Sequence, residues 1–129
     1  MVRLVTDESA RCARFISEHI GTAFCPPYYA FGWERCGKLF AAVLVNQFEG
    51  VDCAVSAAGT GWTRRMVRQT GEYIYGTLGC LRMTITTEKP EVVEYAKRLG
   101  GEVEGRLRDH FGEGRDATII GILKKDWRF

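Results

Sequence analysis

The stretch Val51-Asp52-Cys53-Ala54-Val55-Ser56-Ala57-Ala58-Gly59-Thr60-Gly61-Trp62-Thr63-Arg64-Arg65 contains a change of hydrophobic period. Val51–Ala58 is a run of small and apolar residues with the length and composition of a strand. Beyond Gly59-Thr60-Gly61 the spacing becomes helical. From Trp62 to Leu78, the residues Met66, Val67, Thr70, Tyr73, Ile74, Thr77 and Leu78 fall on one face. Gly71 and Gly76 weaken that helix and Gly79 ends it. Leu81, Met83 and Ile85 then alternate with Arg82, Thr84 and Thr86, as in a half-buried strand. Pro90 suits the first turn of a further helix, with Val92, Val93, Ala96 and Leu99 facing inward and Gly100-Gly101 as its stop. Residues from about 50 to 100 therefore predict strand, glycine loop, helix, strand, helix.

Upstream, Met1–Val5 is short and strand-like. Ser9–Ile20 carries Cys12, Phe15, Ile16, His19 and Ile20 at helical spacing, with Asp7 or Ser9 available as a cap and Gly21 as a stop. Pro26-Pro27 forbids regular structure locally. Tyr29–Arg35, Leu39–Gln47 and Val51–Ala58 form a meander with turns at Cys36-Gly37-Lys38 and Phe48-Glu49-Gly50. The nearly continuous apolar run of the middle strand suits a buried position. Downstream, Glu102–Arg108 and Ala117–Trp127 read as two strands joined by Phe111–Asp116. Hairpins followed by strand–helix–strand crossovers predict an α/β fold with a mixed sheet and helices packed on it.

The loop is suited to an anion. Small residues let a ligand approach the backbone, and a helix start presents N–H groups with partial positive charge. Arg64, Arg65 and Arg68 lie in the first two helical turns, where cations oppose the helix dipole by a few tenths of a kcal/mol or more each. A bound polyphosphate reverses that penalty; a glycine turn beside a solvated basic face is the plainer alternative. No Gly-Lys-Ser/Thr follows, which excludes a P-loop. Arg64 stands where a dinucleotide fingerprint needs its third glycine.

With 129 residues, 46% hydrophobic and 26% charged, the chain reads as one globular domain, 1–129. A net charge of +2 offers no bulk attraction to nucleic acid. The longest apolar run, Leu39–Val45, is too short for a membrane span, and no signal-peptide core precedes it; a cytoplasmic protein is expected. Five cysteines (Cys12, Cys25, Cys36, Cys53, Cys80) show no C-x-x-C spacing and suit free, mostly buried thiols. His19 and His110 are isolated, so no metal site is expected.

From Leu39 to Phe129, about 70% of the 129 residues, the chain resembles the GNAT superfamily of N-acetyltransferases. Leu99-Gly100-Gly101-Glu102-Val103-Glu104-Gly105-Arg106-Leu107-Arg108-Asp109 is similar to that family's L-G-F-x-x-E-G-x-L-R-D stretch. Gly114-Arg115-Asp116-Ala117-Thr118-Ile119-Ile120-Gly121-Ile122-Leu123 resembles the G-R-D-x-x-x-Y-G-M-L ending of the branch acting on protein N-termini and small amines. Small phage-encoded and ribosomal-protein-acetyltransferase-like members look comparable. The resemblance implies a mostly antiparallel central sheet with a splayed parallel pair, here Cys53–Ala57 and Leu81–Thr86, and flanking helices. It also implies acetyl-CoA as cofactor, with Ser56, Ala57, Ala58, Gly59, Thr60, Gly61, Trp62, Thr63 and Arg64 at its phosphates.

The implied reaction is attack of an amine on the acetyl thioester, the amine being a small molecule or a protein amino group. It calls for a base and for an acid to protonate the thiolate. Asp52, Glu49 and Glu34 are the candidate bases, with Asp52 chosen. A backbone N–H near Cys53–Val55 would hold the oxyanion. Lys89 and Ala96 stand where the family often has Asn and Tyr, which leaves the neighbouring Tyr95 as candidate acid. A non-catalytic CoA-binding or interaction protein on the same fold is the alternative. An exposed strand at Ala117–Trp127 would offer an edge for a homodimer.

Overall fold

In the computed structural model all 129 residues are described, and the sheet order follows from where the turns and crossovers fall. The strands are β1 (Val2–Val5), β2 (Tyr28–Arg35), β3 (Lys38–Glu49), β4 (Asp52–Gly59), β5 (Arg82–Thr87), β6 (Glu102–Gly112) and β7 (Arg115–Leu123). The helices are α1 (Ser9–Ile20), α2 (Arg64–Gly71) and α3 (Pro90–Arg98). Tight turns make β2–β3 and β6–β7 antiparallel, β1 pairs antiparallel with β2 across the α1 connection, and the helical crossover from β4 makes β5 run parallel to it, in register at Ala54↔Thr84. The result is a seven-stranded mixed sheet, ordered β1-β2-β3-β4-β5-β7-β6, with one parallel pair. The expected fold class is the observed one. β7 has β5 and β6 on its two sides, so Ala117–Trp127 offers no edge; β6 does.

The chain divides into two compact units, residues 1–47 with 55–70, and residues 48–54 with 71–129. In the first, α1 turns Cys12, Ala13 and Ile16 onto Val5, Ala30, Leu39, Ala42 and Leu44. Ile16, Val5 and Leu44 are fully buried, and each such side chain contributes on the order of 2 kcal/mol. Neither Asp7 nor Ser9 caps α1: Glu8 holds the cap position without a side-chain bond. The Ser9 hydroxyl is instead bonded to the backbone of Ala30, accepting from its N–H at 3.1 Å. That bond fastens the helix to β2, a tertiary demand that outweighs the local cap.

Glu34, one of the candidate bases, is buried at the end of β2. Arg11 donates to one carboxylate oxygen at 2.8 Å and Arg3 to the other at 2.7 Å. Those two bonds, Arg11's first, hold its pKa below the ordinary carboxylate value. A folded-state pKa below the unfolded one stabilises above the unfolded value of 4.5 and is lost as pH falls through the folded value. Glu34→Gln is therefore expected to lower the melting temperature by a few degrees at pH 7, with the difference from the unsubstituted protein narrowing as pH falls below 4.5. Melts across the acid range to pH 8 check this; a gap that does not narrow as the pH falls below 4.5 would contradict it.

In the second unit Met83, Ile120 and Ile122 fill the core with Ile74 and Tyr75, whose hydroxyl donates to the Ile122 carbonyl at 2.7 Å. The long helix expected over Trp62–Leu78 is two pieces. α2 starts only at Arg64, and Glu72–Thr77 is π-helical, with the Leu78 N–H reaching back five residues to the Tyr73 carbonyl at 2.9 Å. The wider turn brings Tyr75 inward, which an ideal helical period does not predict. Gly71 borders the change of period; a Cβ there would land on the Trp127 indole, and that ring also meets Tyr75 edge-on at 5.6 Å. Leu81, expected to face inward, precedes β5 and is half-exposed, because its N–H and carbonyl are tied to Val51 and Lys124. α3 begins with Pro90 at its first turn and buries Ala96 and Leu99 as expected.

Candidate active site

The loop lies in the first unit. Ser56, Ala57, Ala58 and Gly59 still belong to β4, so the connection itself is Thr60–Thr63. Gly59 has φ +111°, and a Cβ there would strike the carbonyl of Phe40 and the backbone of Ala41. The end of β4 thus approaches its neighbour β3 at a distance only glycine permits. The Thr60 N–H donates to the Phe40 carbonyl at 3.1 Å. Gly61, at φ +72°, reverses the chain over the Phe40 ring. Trp62 is half-buried. Its indole N–H donates to the Gly59 carbonyl at 3.3 Å and its ring meets Trp33 edge-on at 5.3 Å. Trp33 is itself fixed by an indole bond to Gln69 at 2.8 Å. Trp62 therefore braces the loop from the protein side.

Thr63 is the helix cap. Its hydroxyl accepts from the Met66 N–H at 3.2 Å and its carbonyl accepts from Val67 at 3.1 Å. Met66 and Val67, in the first turn of α2, are thereby satisfied by the cap. No acidic residue stands in that turn, and Arg64, Arg65 and Arg68 are exposed. Backbone donors, the dipole and three guanidinium groups all favour an anion there. A phosphate-bearing ligand such as CoA suits this helix start by charge, while the glycines at 59 and 61 answer to the close approach of Phe40 and Ala41.

Asp52 and Tyr95 lie in the second unit. Asp52 starts β4, and its carboxylate is already engaged. It accepts from the Thr84 hydroxyl at 2.8 Å and from the Cys53 N–H at 2.8 Å, and Arg82 stands 3.2 Å away. Arg82 also pairs with Glu104 at 2.6 Å across Gly121. The Cys53 N–H is thus occupied, leaving Ala54 and Val55 in the segment expected to hold an oxyanion. Tyr95 is 41% exposed on α3, with the Arg98 guanidinium 5.4 Å from its ring centre, whereas Ala96 faces the core. Partial burial raises the Tyr95 pKa, against a smaller opposing effect of Arg98, so the phenol keeps its proton near neutral pH. Glu49, expected in a turn with Phe48 and Gly50, is instead the exposed last residue of β3. Burial pushes the Cys53 thiol up, so it stays protonated and is no nucleophile. Thr84, Arg82 and Glu104 escaped the sequence reading. Their places on the polar faces of two strands were legible, but the pairing that brings them to Asp52 was not.

No protein-family profile and no curated protein matches the sequence. The fold does match solved structures. Mutant forms of the spermidine/spermine N-acetyltransferase SpeG from Vibrio cholerae superpose with a TM-score of 0.78 at 16% identity, over 97% of this chain and 96% of that one. SpeG in complex with manganese ions gives 0.75 at 15% identity, over 97% and 92%. A dodecameric structure of the same Vibrio cholerae enzyme gives 0.76 at 15% identity, over 96% and 94%. Superposition over nearly the whole length of both chains assigns the seven-stranded mixed sheet its fold: the chain has the GNAT N-acetyltransferase fold.

Proposed function

We propose that this chain is an acetyl-CoA-dependent N-acetyltransferase that acylates an amine. The observation that carries the reading is the Gly59–Arg65 cradle, a cap-satisfied helix start with small residues and flanking cations, at the end of β4 in a GNAT fold. Gly59, Thr60, Gly61, Arg64 and Arg65 would hold the phosphates. The bound molecule supplies an acyl thioester. The polyamine acceptors named for the structural neighbours make a primary aliphatic amine the first acceptor class to try. In this reading one backbone N–H of the Ala54-Val55 segment orients the acyl oxygen, and Tyr95, protonated at neutral pH, is the proton source for a departing thiolate. Asp52 is the carboxylate nearest that strand segment in sequence. Its bonds to Thr84 and Cys53 hold it in one orientation, so it accepts the amine proton directly or through water. The engagement of that same carboxylate by Arg82 favours a second reading, a CoA-binding protein without catalysis.

Millimolar acetyl-CoA is expected to raise the melting temperature by about 5 to 10 °C, since ligand at 100 times Kd adds ~2.7 kcal/mol. Arg64→Glu is expected to abolish the rise, because it places a carboxylate at the anion end of α2. Differential scanning fluorimetry reads both; no shift with acetyl-CoA would sink both CoA readings. Thiol release from acetyl-CoA over a panel of polyamines, small amines and peptides then separates enzyme from binder.

A further inference from the structure

We infer that Arg35 is a specificity residue for the bound cofactor, one that reads the 3′-phosphate carried by CoA and absent from dephospho-CoA. This rests on the CoA reading of the loop. Arg35 ends β2, and its guanidinium lies 5.0 Å from the centre of the Phe40 ring. The same ring underlies the loop: a Cβ on Gly61 would be 3.5 Å from its Cδ2 and Cε2, and the Phe40 carbonyl accepts from Thr60. One aromatic side chain therefore seats both the glycine reversal and a cation. The guanidinium of Arg35 makes no ion pair, unlike those of Arg3, Arg11, Arg82, Arg106 and Arg115, each of which has an acidic partner. Its register partner on β3 is Lys38, a second exposed cation. The end of the β2–β3 hairpin thus holds two positive charges beside a loop already bordered by Arg64, Arg65 and Arg68.

Stacking on Phe40 gives Arg35 a preferred position without neutralising it. A planar guanidinium so placed can receive a phosphomonoester with two parallel bonds, the geometry in which arginine surpasses lysine. The diphosphate of CoA is assigned to the helix start, so Arg35 and Lys38 have the third phosphate as their remaining anionic partner. The ring also explains the choice of Phe at position 40, since an aliphatic residue there would support Gly61 but leave the guanidinium unseated.

The test is isothermal titration of the intact protein with CoA and with dephospho-CoA. The unsubstituted chain is expected to bind CoA about 10-fold more tightly than dephospho-CoA. Arg35→Gln should weaken CoA by about the same factor, leave dephospho-CoA within about 2-fold, and leave the melting temperature unchanged. Phe40→Leu should narrow the preference in the same direction, and Arg35→Lys should restore only part of it. Equal affinity of the unsubstituted chain for both ligands overturns the inference, as does an Arg35→Gln loss shared by both. If neither ligand binds, the CoA reading itself fails, a result distinct from binding without a preference.

Discussion

Gly59→Asn is expected to lower stability by about 4 kcal/mol, a fall in melting temperature on the order of 15 °C, and to remove the stabilisation by acetyl-CoA. Two effects add. The φ of +111° is strained for any residue with a side chain, and the new Cβ would meet the Phe40 carbonyl and the Ala41 backbone. Neither neighbour can yield, because both belong to the buried centre of the sheet. Gly61→Asn is the control two residues away. Its φ of +72° is left-handed helical, where asparagine is well tolerated, and its Cβ would rest in ordinary contact with the Phe40 ring. It should cost about 1 kcal/mol or less. Thermal melts with and without acetyl-CoA check the pair. Equal melting of the two variants would show that β4 does not make the close approach to β3.

Gly100→Ala is expected to have a comparable effect, a loss of about 4 kcal/mol, from a position remote in sequence from the loop. Gly100 has φ +111° between α3 and β6, and a Cβ there would fall on the Asp126 carbonyl. Gly101 is equally confined: its Cβ would be 2.8 Å from Ile120 and 2.9 Å from the Ala96 carbonyl. The glycine pair lets β6 start against the end of α3 with the C-terminal segment laid over it, where the Arg128 N–H donates to Leu99 at 3.2 Å. Gly114→Ala is the matched control. Gly114 also has a positive φ, +73°, but nothing lies within 4 Å of its Cβ, so the change should cost only ~1 kcal/mol. Urea denaturation of the two variants separates conformational strain from steric collision; similar midpoints would contradict the close contact at Asp126.

The glycines were visible in the sequence, but not which of them were indispensable. Gly100-Gly101 reads as a helix stop and Gly59-Thr60-Gly61 as a turn on local grounds alone. That Gly59 and Gly100 each meet another segment's carbonyl, whereas Gly61 and Gly114 do not, depends on residues far along the chain. The same holds for the polar groups. Thr63 as a cap follows from its place before α2, because a cap is a contact over three residues. The role of Ser9 does not, because its hydroxyl is bonded 21 residues away. Glu34 and Asp52 looked alike as strand-end carboxylates. Arg3 and Arg11 surround the first, and Thr84 and Arg82 the second, and neither pair lies next to it in sequence.

By itself the sequence determined the element order and put a glycine turn with cations at the start of α2. Hydrophobic period, glycine punctuation and charges at a helix start are properties of neighbouring residues, and they survive any arrangement of the rest. Only the tertiary structure decided that α2 yields to a π turn at Glu72 and that the Trp127 indole, two strands beyond α3, packs against Gly71. It alone decided that Trp62 braces the loop through Trp33, and that Arg35 reaches the same loop over Phe40. Those contacts depend on strand register and packing distance, which no local pattern encodes.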